Sequence, residues 1–333
     1  MYRVGVIGCR GIGNRHANGA EGLPNVEVVA ACDLVEEQLN SFEEQFKPTN
    51  PRLVMYTNYK EMLDTAKLDI VTVATGDNAH ANMVVAAAEA GAKGIFCEKP
   101  LATTLEEADR MVAATEKSKT LLSVDHTRHW MPLWHRCHEL VAEGALGEVK
   151  DVAYVHHGAR SMLFRNGTHT LDTIRWFAGS KPEWLVGELE DGYEDYSEYR
   201  GDGGHDPAAE PSANAYIHFA NSVRGFYLGE KQASARSHFT VTGTLGALVI
   251  EERANPNDTE SFIEREGERE PIKAPEWPYE GIETGFHELV QVLDGSGQLS
   301  CPGRDALTVV EMLLACLKSQ QEGNSKVTWP LVR

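Results

Sequence analysis

The first thirteen residues constrain this chain more than any others. Val4-Gly5-Val6-Ile7-Gly8-Cys9-Arg10-Gly11-Ile12-Gly13 reads as a buried strand, a glycine turn and a helix start. A second strand, Val26 to Cys32, ends in Asp33, twenty residues after Gly13. That is the layout of a dinucleotide site in a βαβ unit. Early glycines let the chain turn and let backbone approach a pyrophosphate, and the helix N-terminus offers unbonded N–H groups and the positive end of its dipole to the phosphates. Asp33 is placed to accept hydrogen bonds from the adenosine ribose hydroxyls. In the pattern G-x-G-x-x-G, Gly8 and Gly13 take the outer positions. Arg10 stands where the middle glycine belongs, with Gly11 and Ile12 after it. NAD is the expected cofactor, because Asp33, Glu36 and Glu37 repel a ribose 2′-phosphate and neither serine nor arginine follows Asp33. Arg10 leaves NADP open as the alternative.

A chain of 333 residues exceeds the usual size of one hydrophobic core, so two domains are expected. The net charge of −19, from 31 basic and 50 acidic residues, repels nucleic acid and anionic membrane. A small-molecule substrate is the expected partner. The six cysteines, Cys9, Cys32, Cys97, Cys137, Cys301 and Cys316, form no C-x-x-C pair and read as buried thiols of a reducing compartment. The first strand begins by Tyr2, which leaves no room for a signal peptide, and no apolar run approaches a membrane span. A cytoplasmic location is expected.

Residues 1–126 alternate strand and helix signals. The run Asp69 to Ala74 is apolar almost throughout, as in a parallel strand covered on both faces. Thr104 followed by Glu107 marks a capped helix start. Six such units predict an α/β doubly wound parallel sheet of Rossmann type. Residues 127–333 change pattern. They open with a helix (Leu133 to Glu143), an alternating strand (Glu148 to His157) and a helix (Leu171 to Phe177). Period-two runs follow between Trp184 and Ile263, and two helices close the chain, Gly281 to Leu293 and Asp305 to Gln321. That predicts an α+β domain with a mainly antiparallel sheet. Glu190 to Glu210 holds eight acids against Arg200. A solvated loop is the favoured reading, with a flap near the substrate site as the other.

At Glu98-Lys99-Pro100, after a Rossmann strand, the chain resembles the Gfo/Idh/MocA family of NAD(P)-dependent sugar and inositol oxidoreductases. Supporting stretches are Ile7 to His16, Asp69 to His80, Thr127 to Pro132, Gly144 to Val149 and Asn166 to Asp172. The resemblance implies hydride transfer between NAD(H) and a secondary alcohol of a sugar, cyclic polyol or sugar acid. It implies an open-faced sheet in the second domain that builds homodimers or homotetramers, and a cis Lys99–Pro100 bond. Carried over by position, Lys99 stands at the reacting carbon and His169 is the acid/base. Thr75, Asn78 and His80 lie in the cofactor-side loop, and Glu98 is an acid beside the nicotinamide. Arg128, Trp130, Asn166, Thr168 and Asp172, in the matching stretches, together with Arg160 and Arg165, are expected at the substrate. Arg165 replaces an aspartate common in relatives, and Gly76 replaces a proline.

The residue types suit that chemistry. Removing hydride from an alcohol needs a base for the hydroxyl proton, and histidine titrates near working pH. A lysine beside the oxygen stabilises developing charge and relays a proton. The structural alternatives are a surface ion pair of Lys99 with Glu98, and a helix-cap or core role for His169. Arg128, Arg160 and Arg165 suggest a carboxylate or phosphate on the substrate. His126 with His129, and His135 with His138, have helical spacing, but no cysteine or carboxylate cluster joins them in sequence, so no metal site is expected. Two other functional classes remain on the same fold: an NAD-requiring glycosidase or lyase with transient oxidation, and a non-catalytic ligand sensor.

Overall fold

The computed structural model describes residues 1–201, 206–253 and 259–333. Two compact units emerge: Met1–Trp130 with Pro278–Leu307, and Met131–Trp277 with Thr308–Arg333.

In the first unit, strands and helices alternate in the order β1 (Tyr2–Ile7), α1 (Gly11–Glu21), β2 (Val26–Cys32), α2 (Glu36–Phe46), β3 (Val54–Tyr56), α3 (Tyr59–Ala66), β4 (Ile70–Val73), α4 (His80–Glu89), β5 (Gly94–Cys97), α5 (Leu105–Ser118) and β6 (Leu121–Val124). The six strands are parallel in the order β3-β2-β1-β4-β5-β6. Every residue of β4 and β5 is buried, as expected where helices cover both faces of a parallel sheet. Thr104 caps α5, its hydroxyl accepting from the Glu107 N–H at 3.2 Å. The Glu107 carboxylate reaches back to Thr103 rather than Thr104, taking its hydroxyl at 2.8 Å.

Residues Ile282–Leu293, which the division at 126/127 assigns to the second part of the chain, form a helix of the first unit. This helix buries Ile282, Phe286, Leu289 and Val290, and it packs on α1, β5 and β6. Its amphipathic stripe marks a buried face without saying which sheet receives it.

The second unit is built from α6 (Pro132–Ala142), β7 (Val149–His157), α7 (Gly167–Ala178), β8 (Pro182–Leu189), β9 (Ala213–Phe219), β10 (Arg224–Glu230), β11 (Arg236–Gly243), β12 (Gly246–Arg253), β13 (Glu260–Arg265) and β14 (Glu268–Pro271). The helix of the first unit just described is α8; α9 (Gly303–Gln321) and β15 (Val327–Thr328) follow. Nine strands form one sheet in the order β14-β13-β12-β11-β7-β10-β9-β8-β15. All neighbours are antiparallel except β7 and β10, which run parallel at its centre. Helix α7 packs on this central pair.

Trp134 anchors the core between α6 and the sheet. Its ring lies 5.1 Å from Phe239 and 5.9 Å from Tyr154, and Phe177 closes on Phe239 at 4.8 Å. Among the described residues no helix is long and apolar enough to cross a membrane.

The acidic segment is not simply a solvated loop. Glu190 pairs with Lys231 at 2.7 Å and accepts from the Ser212 N–H at 3.0 Å. Buried Glu210 accepts from the backbone N–H groups of Phe164 and Arg165. Tyr199 is buried and stacks on Phe164, with ring centroids 4.1 Å apart and planes 2° from parallel. Residues 202–205 of the segment lie outside the described residues.

Truncating Trp134 to alanine removes the shared ring of this core. A loss of about 3–5 kcal/mol is expected, read as a lower urea midpoint than wild type.

Candidate functional site

Sterics at the glycine turn are explicit. Gly8 has φ +94°, and a Cβ there would stand 2.3 Å from the Ala74 carbonyl oxygen. A Cβ on Gly13 would stand 1.8 Å from the Gly8 oxygen, so α1 lies as close to the end of β1 as backbone permits. Arg10 has φ −101° and ψ 169°, an extended conformation open to any residue. The missing middle glycine therefore costs the turn nothing. Gly11 faces open space, with no atom within 4 Å of a built Cβ. Arg10, Gly11 and Ile12 are exposed, α1 carries no side-chain cap, and its first turn holds no acid. An uncapped helix start with open space at Gly11 fits a pyrophosphate.

Asp33 is fixed at the end of β2. Its two carboxylate oxygens accept from the Cys9 N–H at 2.8 Å and the Val35 N–H at 2.9 Å. Each oxygen retains a second lone pair, enough for a ribose diol.

The ends of β1, β4, β5 and β6 are laced in sequence. Ala74 donates to the Ile7 carbonyl at 2.8 Å, Glu98 to Val73 at 2.9 Å and Asp125 to Cys97 at 2.8 Å. Thr75 and Lys99 are partly exposed and Asn78 is exposed in this row. His80 differs. It is fully buried, with Nδ1 3.0 Å from the Pro100 oxygen and Nε2 3.3 Å from the Thr75 oxygen. It ties the Thr75 and Pro100 loops together. Gly76 has φ −65°, a value proline also adopts, so the departure there leaves the loop's path intact. The Lys99–Pro100 bond is cis.

Two residues beside Glu98 carry a signal that sequence reading missed. His16, on the buried face of α1, approaches Glu98 Oε1 at 3.4 Å and Asp125 Oδ2 at 3.9 Å. His16 and Asp125 are buried and Glu98 nearly so. Burial opposes a charged imidazole, but Asp125 and Glu98 outweigh it and lift the His16 pKa to about 9. Burial and then the Glu98 charge push Asp125 up to about 7. Burial acts upward on Glu98 too, yet His16, Asp125 and the Lys99 ammonium hold it down at about 2. The detectable sign was an ionisable residue in an otherwise apolar helix face, and an acid ending an apolar strand.

The substrate-side expectations divide between the units. Arg128 is partly exposed in the first unit. Trp130 is 2% exposed, with its ring 5.7 Å from Phe96 and against Gly285. It packs in the core of the first unit. In the second unit, Arg160, Arg165, Asn166 and His169 are partly exposed around the start of α7, whereas Thr168 and Asp172 are fully buried. Asn166 Nδ2 donates to the Arg160 carbonyl at 2.7 Å, tying the segment into a loop. The His169 carbonyl accepts from the Thr173 hydroxyl at 2.7 Å, within the helix. His138 stacks on Trp176 at 4.2 Å, and His135 sits 5.1 Å from Trp277.

Residues 2–126 match the oxidoreductase family described as NAD-binding Rossmann fold, and residues 138–329 match its C-terminal alpha/beta domain. The D-apiose dehydrogenase of Paraburkholderia graminis is 29% identical over 192 residues, 54% of this chain and 50% of that protein. The chain thus spans about half the length of this relative. The 1,5-anhydro-D-fructose reductase of Ensifer adhaerens is 25% identical over 344 aligned positions, 98% of each chain. The solved aldose-aldose oxidoreductase of Caulobacter crescentus, complexed with glycerol, superposes with a TM-score of 0.82 at 20% identity, over 98% of this chain and 99% of that one. The two domain matches together span nearly the whole sequence, and on them the chain belongs to the Gfo/Idh/MocA oxidoreductase family.

Proposed function

We propose that this protein transfers hydride between NAD(H) and a secondary alcohol of a sugar, cyclic polyol or sugar acid. The observation that carries the reading is a neighbourhood in the first unit. The Gly8–Gly13 turn and the Glu98-Lys99-Pro100 loop leave the carboxyl ends of β1 and β5, with only β4 between those strands in one parallel sheet. Ligands of such sheets bind outside the carboxyl ends of the strands. The dinucleotide, when bound, supplies the hydride acceptor or donor at its nicotinamide ring. Backbone from Gly8 to Gly13 holds the pyrophosphate, Asp33 holds the ribose, and Thr75, Asn78 and Glu98 line the cofactor side. Lys99 stabilises charge on the reacting oxygen and His169 takes or returns its proton. Arg160 and Arg165, beside the start of α7, favour substrates that carry a carboxylate.

The substrate class is tested by following NADH production over sugars, inositols and sugar acids. Lys99→Ala and His169→Ala should each lower kcat by about a hundred- to ten-thousand-fold with NAD binding retained. Near-normal turnover by either variant removes that residue from the mechanism. Absence of net NADH, with cofactor held tightly and a glycosidic bond cleaved, would replace the dehydrogenase reading.

NAD is the proposed cofactor over NADP, because an acid fixed at the ribose repels a 2′-phosphate. Calorimetric titration should give tighter binding of NAD(H), and tighter binding of NADP(H) would point to the exposed Arg10 as its ligand.

Self-association through the sheet of the second unit is the proposed assembly. Strand β10 alternates buried with exposed residues, and its exposed side carries Phe226 (37% exposed) and Leu228 (47%). Light scattering should report a dimer or tetramer, and Phe226→Glu with Leu228→Glu should shift it to monomer. A wild-type monomer at micromolar concentration rejects this assembly.

A further inference from the structure

Three buried ionisable side chains cluster around Glu98, the residue before Lys99, and the Lys99 ammonium acts on the Glu98 charge. His16 comes from α1, Glu98 from the end of β5 and Asp125 from the end of β6. The imidazole edge meets Phe96 at 4.9 Å, which fixes the ring. Neither approach of His16 to the carboxylates meets hydrogen-bond geometry, and both imidazole nitrogens, Glu98 Oε1 and Asp125 Oδ1 lack hydrogen-bond partners. The charges therefore act on one another directly, in a medium that screens poorly.

Among the described residues, Lys99 acts on Glu98, and the Cys97 thiol faces Glu98, Asp125 and Asp77. Cys97 stays neutral, since burial and then Glu98, Asp77 and Asp125 push its pKa well up.

We propose that His16 and Asp125 are positioning residues for Lys99: with Glu98 they hold two protons, one on the imidazole and one on the carboxylate pair, so that the enclosure around Glu98 has no net charge. The proposal rests on Lys99 being the residue that relays a proton. A neutral enclosure leaves the ammonium able to lose that proton, whereas an enclosure charged −1 retains it.

Two substitutions change the charge in opposite ways. In His16→Gln the two carboxyls share one proton and the enclosure is −1 at pH 6, where wild type is neutral. In Asp125→Asn the amide copies the shape of the protonated acid, and the enclosure stays neutral at pH 8. Wild type has by then ionised Asp125, whose pKa lies near 7.

The test reads Lys99 directly and needs no substrate. The full chain is acetylated with trace acetic anhydride at pH 6 to 9, and the Lys99 peptide is quantified by mass spectrometry. Relative to wild type, Lys99 labelling should fall about tenfold in His16→Gln at pH 6, and rise about tenfold in Asp125→Asn at pH 8. Identical labelling curves in all three folded proteins would overturn the proposal. If His16→Gln does not fold, Asp125→Asn alone decides it. One equivalent of divalent metal per purified wild-type chain, lost in Asp125→Asn, would also overturn it, because the cluster would then be a metal site.

Stability gives a second readout. A histidine whose pKa is raised from 6.5 to about 9 on folding stabilises fully below pH 6.5 and loses that contribution as pH rises through 9. The wild-type melting temperature should show this decline, and His16→Gln should lack it; a decline of the same size in both would count against a charged His16. Normal turnover by Lys99→Ala would sink the proposed activity while leaving the labelling curves meaningful, so the two failures are distinguishable.

Discussion

The carbonyl oxygen of Gly8 occupies the space that a side chain on residue 13 would need. That contact sets the distance between the end of β1 and the first turn of α1, and much follows from it. With the helix this close, its uncapped start stands beside Asp33, the acid at the end of the next strand. One turn further along, the same closeness drives His16 into the sheet's core, where it meets the ends of β5 and β6. The glycines thus position a buried imidazole as well as a phosphate-binding turn.

The first unit was legible because its signals are local. A parallel strand buried on both faces must be apolar throughout, so Ile70–Val73 and Gly94–Cys97 announce themselves. The second unit was legible only in part. Alternation reveals a strand and its inner face, but not its neighbour, so the parallel pairing of β7 with β10 had no trace in the pattern. Helix α7 begins at Gly167, four residues ahead of the expected Leu171. Gly167 and the threonines after it are poor helix formers, and packing against Tyr227 decides the start instead. The motif around Trp130 was visible, but its burial against Phe96 had no trace in the pattern.

Charge was a partial guide to place. Asp191, Glu194, Asp195, Glu198 and Asp206 are exposed, as a solvated loop requires, but composition counts charges without partners and could not single out Glu190 and Glu210. In the structure the segment is clamped at both ends, by Glu190 with Lys231 and by Glu210 on the backbone ahead of α7. Arg165, Asn166 and His169 sit on or just after that backbone. The acid-rich segment therefore bears on the candidate site through its anchoring residues rather than through its net charge.

The same distinction governs the enclosure around Glu98. Three buried ionisable groups admit several proton arrangements, and desolvation discriminates steeply between them, since an uncompensated buried charge costs several kcal/mol. With a neutral imidazole and two ionised carboxylates the cluster would carry −2; with one proton it would carry −1; with two it is neutral. Glu98 is the closer acid to His16, at 3.4 Å against 3.9 Å, and the Lys99 ammonium helps hold it ionised. Asp125 has only the more distant approach and faces the Glu98 charge, so the second proton resides there. Neutrality at this spot is set by how many protons the cluster retains, which neither the count of acids and bases nor any single motif records.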